Sequence, residues 1–126
     1  MLELHLDRSP AHCYQAFCDA AQLKLWLPDL KKLRVATTDA QGRPREVVFE
    51  LGDSLSFALV YAYDDTARRV RWVPSAGVLD GVSGSAVFEP DGQGTRFSYS
   101  LDSLRGRAPD HERDVALAFA RWVNEG

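Results

Sequence analysis

Polar and apolar residues alternate with a period of two over most of this chain, and the period becomes helical in only two places. Leu2, Leu4 and Leu6 alternate with Glu3, His5 and Asp7, which predicts a half-buried first strand. Ser9-Pro10 then supplies an N-cap and a proline at the first helical position, where its missing N–H is harmless. Cys13, Ala16, Phe17 and Ala20 recur at helical spacing after it. A second short helical piece, Ala21 to Leu27, carries Leu23, Trp26 and Leu27, and Pro28 closes it, since the residue before proline is pushed out of the helical region.

The texture then turns to strands. Leu33, Val35 and Thr37 alternate with Arg34 and Ala36, and Asp39 to Arg43 (DAQGR) reads as a turn. Val47, Phe49 and Leu51 share one side of the next strand, and Gly52-Asp53 is a hairpin signal. Leu55, Phe57, Leu59, Tyr61 and Tyr63 line one side of the following strand, which turns at Asp64-Asp65-Thr66. Val70, Trp72 and Pro74 alternate next. A long Gly- and Ser-rich strand is expected from Val78 to Phe88, and a turn from Pro90 to Gly94. Thr95, Phe97, Tyr99 and Leu101 make the last strand.

Helical spacing returns from Pro109 to Glu125. Pro109 suits a first helical position, and Asp110, Glu112 and Asp114 place negative charge at the positive end of the helix dipole. Val115, Ala116, Ala118, Phe119, Trp122 and Val123 form one apolar face, opposite Arg113, Arg121, Asn124 and Glu125. Leu117 falls among the polar residues, where a homodimer contact and a loop packed over it both account for it. Hairpin links make six strands antiparallel neighbours, because parallel pairing needs a long crossover. With the first strand they form a seven-stranded sheet that twists and curls, leaving one concave face for the long helix to cover.

Composition sharpens this only a little. A chain of 126 residues is one domain's worth, so residues 1–126 are expected to bury a single core. A net charge of −3 argues against nucleic acid as a partner, which calls for a concentrated basic surface. No apolar run reaches the roughly 20 residues of a membrane-spanning helix, and MLELHLDRSP lacks the apolar core of a secretory signal, so a cytoplasmic protein is expected. Cys13 and Cys18 sit five residues apart on one helix, pointing to different faces. They read as buried small hydrophobes, with neither a disulfide nor a zinc site between them.

The stretch LHLDRSPAHCYQAFCDAAQLKLWLPDLKKLRV resembles the opening of START-like domains, the Bet v 1-type or helix-grip superfamily. Ser9-Pro10, Asp19 and Trp26-Leu27-Pro28 carry that likeness, and GQGTRFSYSL (Gly92 to Leu101) resembles the superfamily's final strand before its C-terminal helix. Within it, the likeness is to the polyketide cyclase/dehydrase-like and coenzyme Q-binding branch. The resemblance implies an α+β helix-grip fold whose cavity, between sheet and long helix, takes up a small hydrophobic or aromatic molecule. The terminal helix and the loop before it are compact, which fits a small or open cavity.

On that reading Phe49, Phe57, Tyr61, Tyr63, Trp72, Phe97 and Tyr99 face the cavity from the sheet, Phe119 and Trp122 from the long helix, and Trp26 from its rim. The same aromatic set also reads as ordinary core filling. Catalytic chemistry is thinner. Asp80, a carboxylate in the Gly/Ser-rich strand, and His111, on the apolar side of the terminal helix, are the two candidates for acid/base work. His5 and His12 read as exposed. Neither a metal-spaced cluster nor a nucleophile motif is present, so neither metal nor cofactor is expected. A ligand binder, a polyketide cyclase or dehydratase, and a co-chaperone-like interaction module are the three functions left standing.

Overall fold

A computed structural model describes residues 2–27, 30–51, 56–75, 82–103 and 108–125, the side chains of residues 20, 51, 56, 57, 82, 103 and 108–111 excepted. Its elements are β1 (Leu2–Leu6), α1 (Pro10–Cys18), α2 (Ala20–Trp26), β2 (Leu30–Thr38), β3 (Pro44–Leu51), β4 (Ser56–Asp64), β5 (Arg69–Pro74), β6 (Val82–Asp91), β7 (Gly94–Ser103) and α3 (Ala108–Glu125). The strands form one antiparallel sheet in the order β1-β7-β6-β5-β4-β3-β2.

Local chemistry sets the first turns. The Ser9 hydroxyl accepts from the His12 N–H at 3.2 Å, and Pro10 opens α1. Asp19 ends α1 and starts α2, its carboxylate accepting from the Ala21 N–H at 3.0 Å and from the Gln22 side chain at 3.0 Å. The corner after β1 is locked from inside: buried Thr95 donates its hydroxyl to the Arg8 carbonyl at 2.7 Å, and the Cys13 thiol reaches the same oxygen. In the β2–β3 hairpin, Asp39 accepts from the Gln41 and Arg43 N–H groups at 2.9 and 2.8 Å while Gly42 takes φ +83°.

The β6–β7 hairpin differs from the sequence expectation. β6 runs on to Asp91 rather than ending at Phe88, because its ladder with β7 continues through Pro90↔Thr95 and Asp91↔Gly94. Only Gly92 and Gln93 remain for the hairpin, with Gly92 at φ +61°. Val78 to Gly81, the expected start of that strand, lies outside the described residues, as does Gly52-Asp53.

Pairing register carries the inward residues across the sheet in rows. Tyr61 faces Trp72, Trp72 faces Gly84 and Gly84 faces Leu101 in one row; Leu4, Phe97 and Phe88 make another. Three helices cover this side: α1 packs on β6 and β7, α3 on β1 and β7, and α2 on β2 and α3. On α3 the buried stripe is Ala116, Phe119, Ala120 and Val123, flanked by part-buried Val115, Ala118 and Trp122. Leu117 is 42% exposed, as its place on the polar side predicts. Asn124, on that same side, accepts from the Asp7 N–H at 2.8 Å and ties the end of α3 to the end of β1.

Candidate functional site

The concave face divides into a packed half and an aromatic half with unfilled polar valence. The packed half centres on Phe17 of α1. Its ring centroid lies 5.2 Å from that of Phe119, 5.6 Å from Phe88, 5.7 Å from Trp26, 6.0 Å from Trp72 and 6.2 Å from Phe97. Phe119 and Phe97 are fully buried, and Phe119 is 4.9 Å from Trp26. Four of the residues expected to face a ligand, Trp26, Trp72, Phe97 and Phe119, therefore pack against one side chain from α1. Trp122 is part-buried and meets Phe119 at 6.1 Å.

The second half spreads over β3 to β7. Trp72 lies between Tyr61, at 5.9 Å, and Tyr99, at 5.5 Å, and Tyr61 stacks on Tyr63 at 6.3 Å and 15°. Phe49 joins Tyr61 from β3. Trp72 reaches across to β7 because β6 offers no side chain beneath it. A Cβ on Gly84 would sit 2.8 and 2.9 Å from two indole carbons and would also run into the Ser100 carbonyl. Gly84 thus allows the close approach of the Trp72 indole to the strand.

Polar groups on this half divide into satisfied and unsatisfied. The Tyr63 hydroxyl donates to the Pro44 carbonyl, and the Arg43 guanidinium sits 4.3 Å over the Tyr63 ring. Among the described residues, the Tyr61 and Tyr99 hydroxyls have no hydrogen-bond partner; in the packed half the same holds for the buried Trp26 Nε1. Tyr99 is 4% exposed. Tyr61 is half-buried, and burial is the largest of the influences on its phenol. Burial raises both tyrosines above the ordinary phenol range, so both stay protonated. Beside Tyr99, Glu112 of α3 accepts from the Leu101 N–H at 3.0 Å.

Beyond Tyr63 an open cleft of about 740 Å³ separates α1 from the β2–β3 hairpin, with Tyr14, Cys18, Pro44, Arg43 and Asp65 among its walls. Arg43 bridges it: Nε donates to Asp39 at 2.9 Å, and Nη1 donates to Asp65, which also accepts from the Tyr14 hydroxyl at 2.8 Å. Burial works against the Arg43 charge, and the bonds to Asp65 and Asp39 outweigh it. Hydrogen bonds from Tyr14 and Arg43 hold Asp65 below the usual carboxylate range. For Asp39, burial is outweighed by bonds from Arg43 and Gln41, with the same result. Burial pushes the Cys18 thiol up to about 12, so it stays a thiol.

The stability supplied by lowered carboxylates is complete above their unfolded value of about 3.9 and is lost as pH falls through the lower folded value. Asp65→Asn should therefore flatten the fall in melting temperature below about pH 4. A variant whose melting temperature falls as steeply as wild type would show that the Asp65 contacts contribute nothing.

Asp80 lies outside the described residues, and so does the side chain of His111, which belongs to α3; Phe57 is placed only by its backbone, opposite Phe49. His5 is exposed and meets Asp91 at 3.1 Å, and His12 is exposed on the first turn of α1. Among the described residues no group of three or more His, Cys, Asp or Glu could hold a metal ion. Sequence reasoning missed Phe17 as the hub, and missed the Tyr14–Asp65–Arg43 bridge altogether. The helical spacing of Tyr14, Phe17 and Cys18 is the one signal that pointed there.

No protein-family model matches the sequence, and neither does any curated protein. Solved structures do match in fold. A START superfamily protein from Mycobacterium smegmatis superposes with a TM-score of 0.80 at 16% identity, covering 98% of this chain and 95% of that one. A STAR-related lipid transfer protein from Xanthomonas axonopodis gives 0.65 at 13% identity, covering 96% and 82%. The di-domain ARO/CYC BexL of the BE-7585A biosynthetic pathway gives 0.66 at 12% identity, covering 98% of this chain and 44% of that one. This chain therefore has the START-like, helix-grip fold: a curved seven-stranded antiparallel sheet, two short helices between its first two strands, and a long C-terminal helix. Among the described residues no helix is long and apolar enough to cross a membrane.

Proposed function

We propose that this protein binds a small hydrophobic or aromatic molecule in the recess over Tyr61, Trp72 and Tyr99, and carries or sequesters it. One observation supports this above the rest. Two tyrosine hydroxyls sit on an aromatic face without a protein partner among the described residues. A phenol whose ring packs among aromatics and whose hydroxyl lacks a protein partner is free to bond a ligand, and an apolar recess with a few polar handles is the usual form of a small-molecule site. A lipid transfer protein and an aromatase/cyclase with the same fold agree with such a site. Trp26, Phe97, Phe119 and Trp122 enter this reading as the packed wall behind the recess, with Phe57 beside Phe49 on the strand next to β3.

The cyclase or dehydratase alternative asks for Asp80 or His111 within the recess, and neither side chain is described. The described unpartnered hydroxyls are phenols held protonated, which suits recognition better than proton transfer near neutral pH. The interaction-module alternative asks for a joined apolar patch; among the described residues the large exposed hydrophobics Leu25, Val73 and Leu117 lie on three different elements. The free, buried thiols of Cys13 and Cys18 suit the cytoplasm as the place of action.

Native mass spectrometry of the freshly purified protein tests the reading. A bound mass in the small-molecule range that gentle activation removes is the expected result. Absence of both a copurifying mass and any saturable change in tryptophan fluorescence on titration with apolar aromatics would sink it.

A further inference from the structure

Given a ligand in the recess, which is the reading proposed above, the two unpartnered hydroxyls say what that ligand carries. Tyr61 on β4 and Tyr99 on β7 stand on either side of Trp72, at 5.9 and 5.5 Å from its ring centroid. Tyr63, the next phenol on this face, is already committed to the Pro44 carbonyl. Tyr61 and Tyr99 thus offer two O–H donors from one aromatic floor. Both are held protonated, first by burial, and then by Tyr99, Tyr63 and Cys18 around Tyr61 and by the Glu112 carboxylate beside Tyr99.

Charge decides which acceptor those donors can bond. No described cation is among the groups acting on either hydroxyl. Arg43 lies on the far side of Tyr63, bonded to Asp39 and Asp65. A ligand carboxylate in this position would lose its hydration without gaining a counter-charge, and Glu112, bonded to the Leu101 N–H, stands on the same side as Tyr99. A pure hydrocarbon would leave both hydroxyls unpaired. A neutral oxygen acceptor meets neither penalty.

From this placement we infer that the recess selects an uncharged apolar molecule bearing a carbonyl or similar acceptor oxygen, which receives hydrogen bonds from Tyr61 and Tyr99, over hydrocarbon and carboxylate analogues of the same shape. Equilibrium dialysis at neutral pH with 2-acetylnaphthalene, 2-ethylnaphthalene and 2-naphthoate tests this on wild type, Tyr61→Phe and Tyr99→Phe. The ketone should bind about tenfold tighter than the hydrocarbon, the equivalent of one net hydrogen bond, and at least as far ahead of the carboxylate. Each Phe variant should lose most of the ketone's advantage, keep hydrocarbon affinity within about twofold, and show no loss of folding stability, since no protein partner is removed. Equal binding of ketone and hydrocarbon, or a ketone preference that survives both substitutions, would overturn the inference and leave the recess standing as a binding site. A carboxylate that binds as tightly as the ketone would overturn its neutral character. Failure of all three probes to bind would overturn the recess itself.

Discussion

Phe17→Ala should lower folding stability by about 3–5 kcal/mol, the range for truncating a well-packed aromatic. Phe17 comes from a nine-residue helix, yet its ring meets five others, from α2, α3 and three strands. Its removal opens a void that no single neighbour can fill, because Phe88, Phe97 and Phe119 are each held by their own ring contacts. Phe17→Leu keeps most of the volume and should lose less than about 1.5 kcal/mol. Urea unfolding of both variants decides the matter. An alanine variant within about 1 kcal/mol of wild type would mean that α1 merely rests on the sheet.

The second large effect is expected at Gly84. An added methyl group meets the Ser100 carbonyl on one side and the Trp72 indole on the other. The carbonyl belongs to the neighbouring strand of the β6–β7 ladder and cannot yield without disturbing the pairing, so the indole must move as well. Gly84→Ala should therefore destabilise by about 1–3 kcal/mol, the usual range for overpacking. It should also change the near-ultraviolet circular dichroism of the tryptophans and weaken any ligand that rests on Trp72. Retention of both stability and spectrum would show that Trp72 does not lie against that strand. A variant that keeps its stability but shifts its spectrum would locate the movement in the indole alone.

How far the sequence could be read follows from which interactions are local. Alternation marked the described strands, and Ser9-Pro10 and DAQGR marked a helix start and a turn, because caps and turns are formed by residues within four positions of one another. The C-terminal end of β6 was misplaced because Pro90 and Asp91 look like turn residues until β7 pairs with them. Among the described side chains, the sheet residues Phe49, Tyr61, Tyr63, Trp72, Phe97 and Tyr99 were legible as an inward face. Their division into a packed half and an open half was not, since it depends on where Phe17 projects and on the absence of a side chain at Gly84. The Arg43 bridge joins a hairpin, a distant turn and a helix, and no spacing rule connects Tyr14 with Asp65. Asp80 and His111 were singled out by residue type, and the described side chains do not include them.

The sheet order also has a consequence for how the chain is made. β2 to β6 each lie beside strands that neighbour them in sequence, whereas Leu2 of β1 pairs with Tyr99 of β7. β1 is synthesised before β7 and must therefore wait for it before its backbone groups are paired. Until then it has no ladder, and the Asn124 clasp on Asp7 does not yet exist either. Such long-range closure is the slow kind of step in folding, because the loop entropy is lost before the contacts are gained. In the meantime Leu2, Leu4 and Leu6 form a short unpaired edge, and the charges of Glu3 and Asp7 that alternate with them are the kind that keep such an edge from joining another chain.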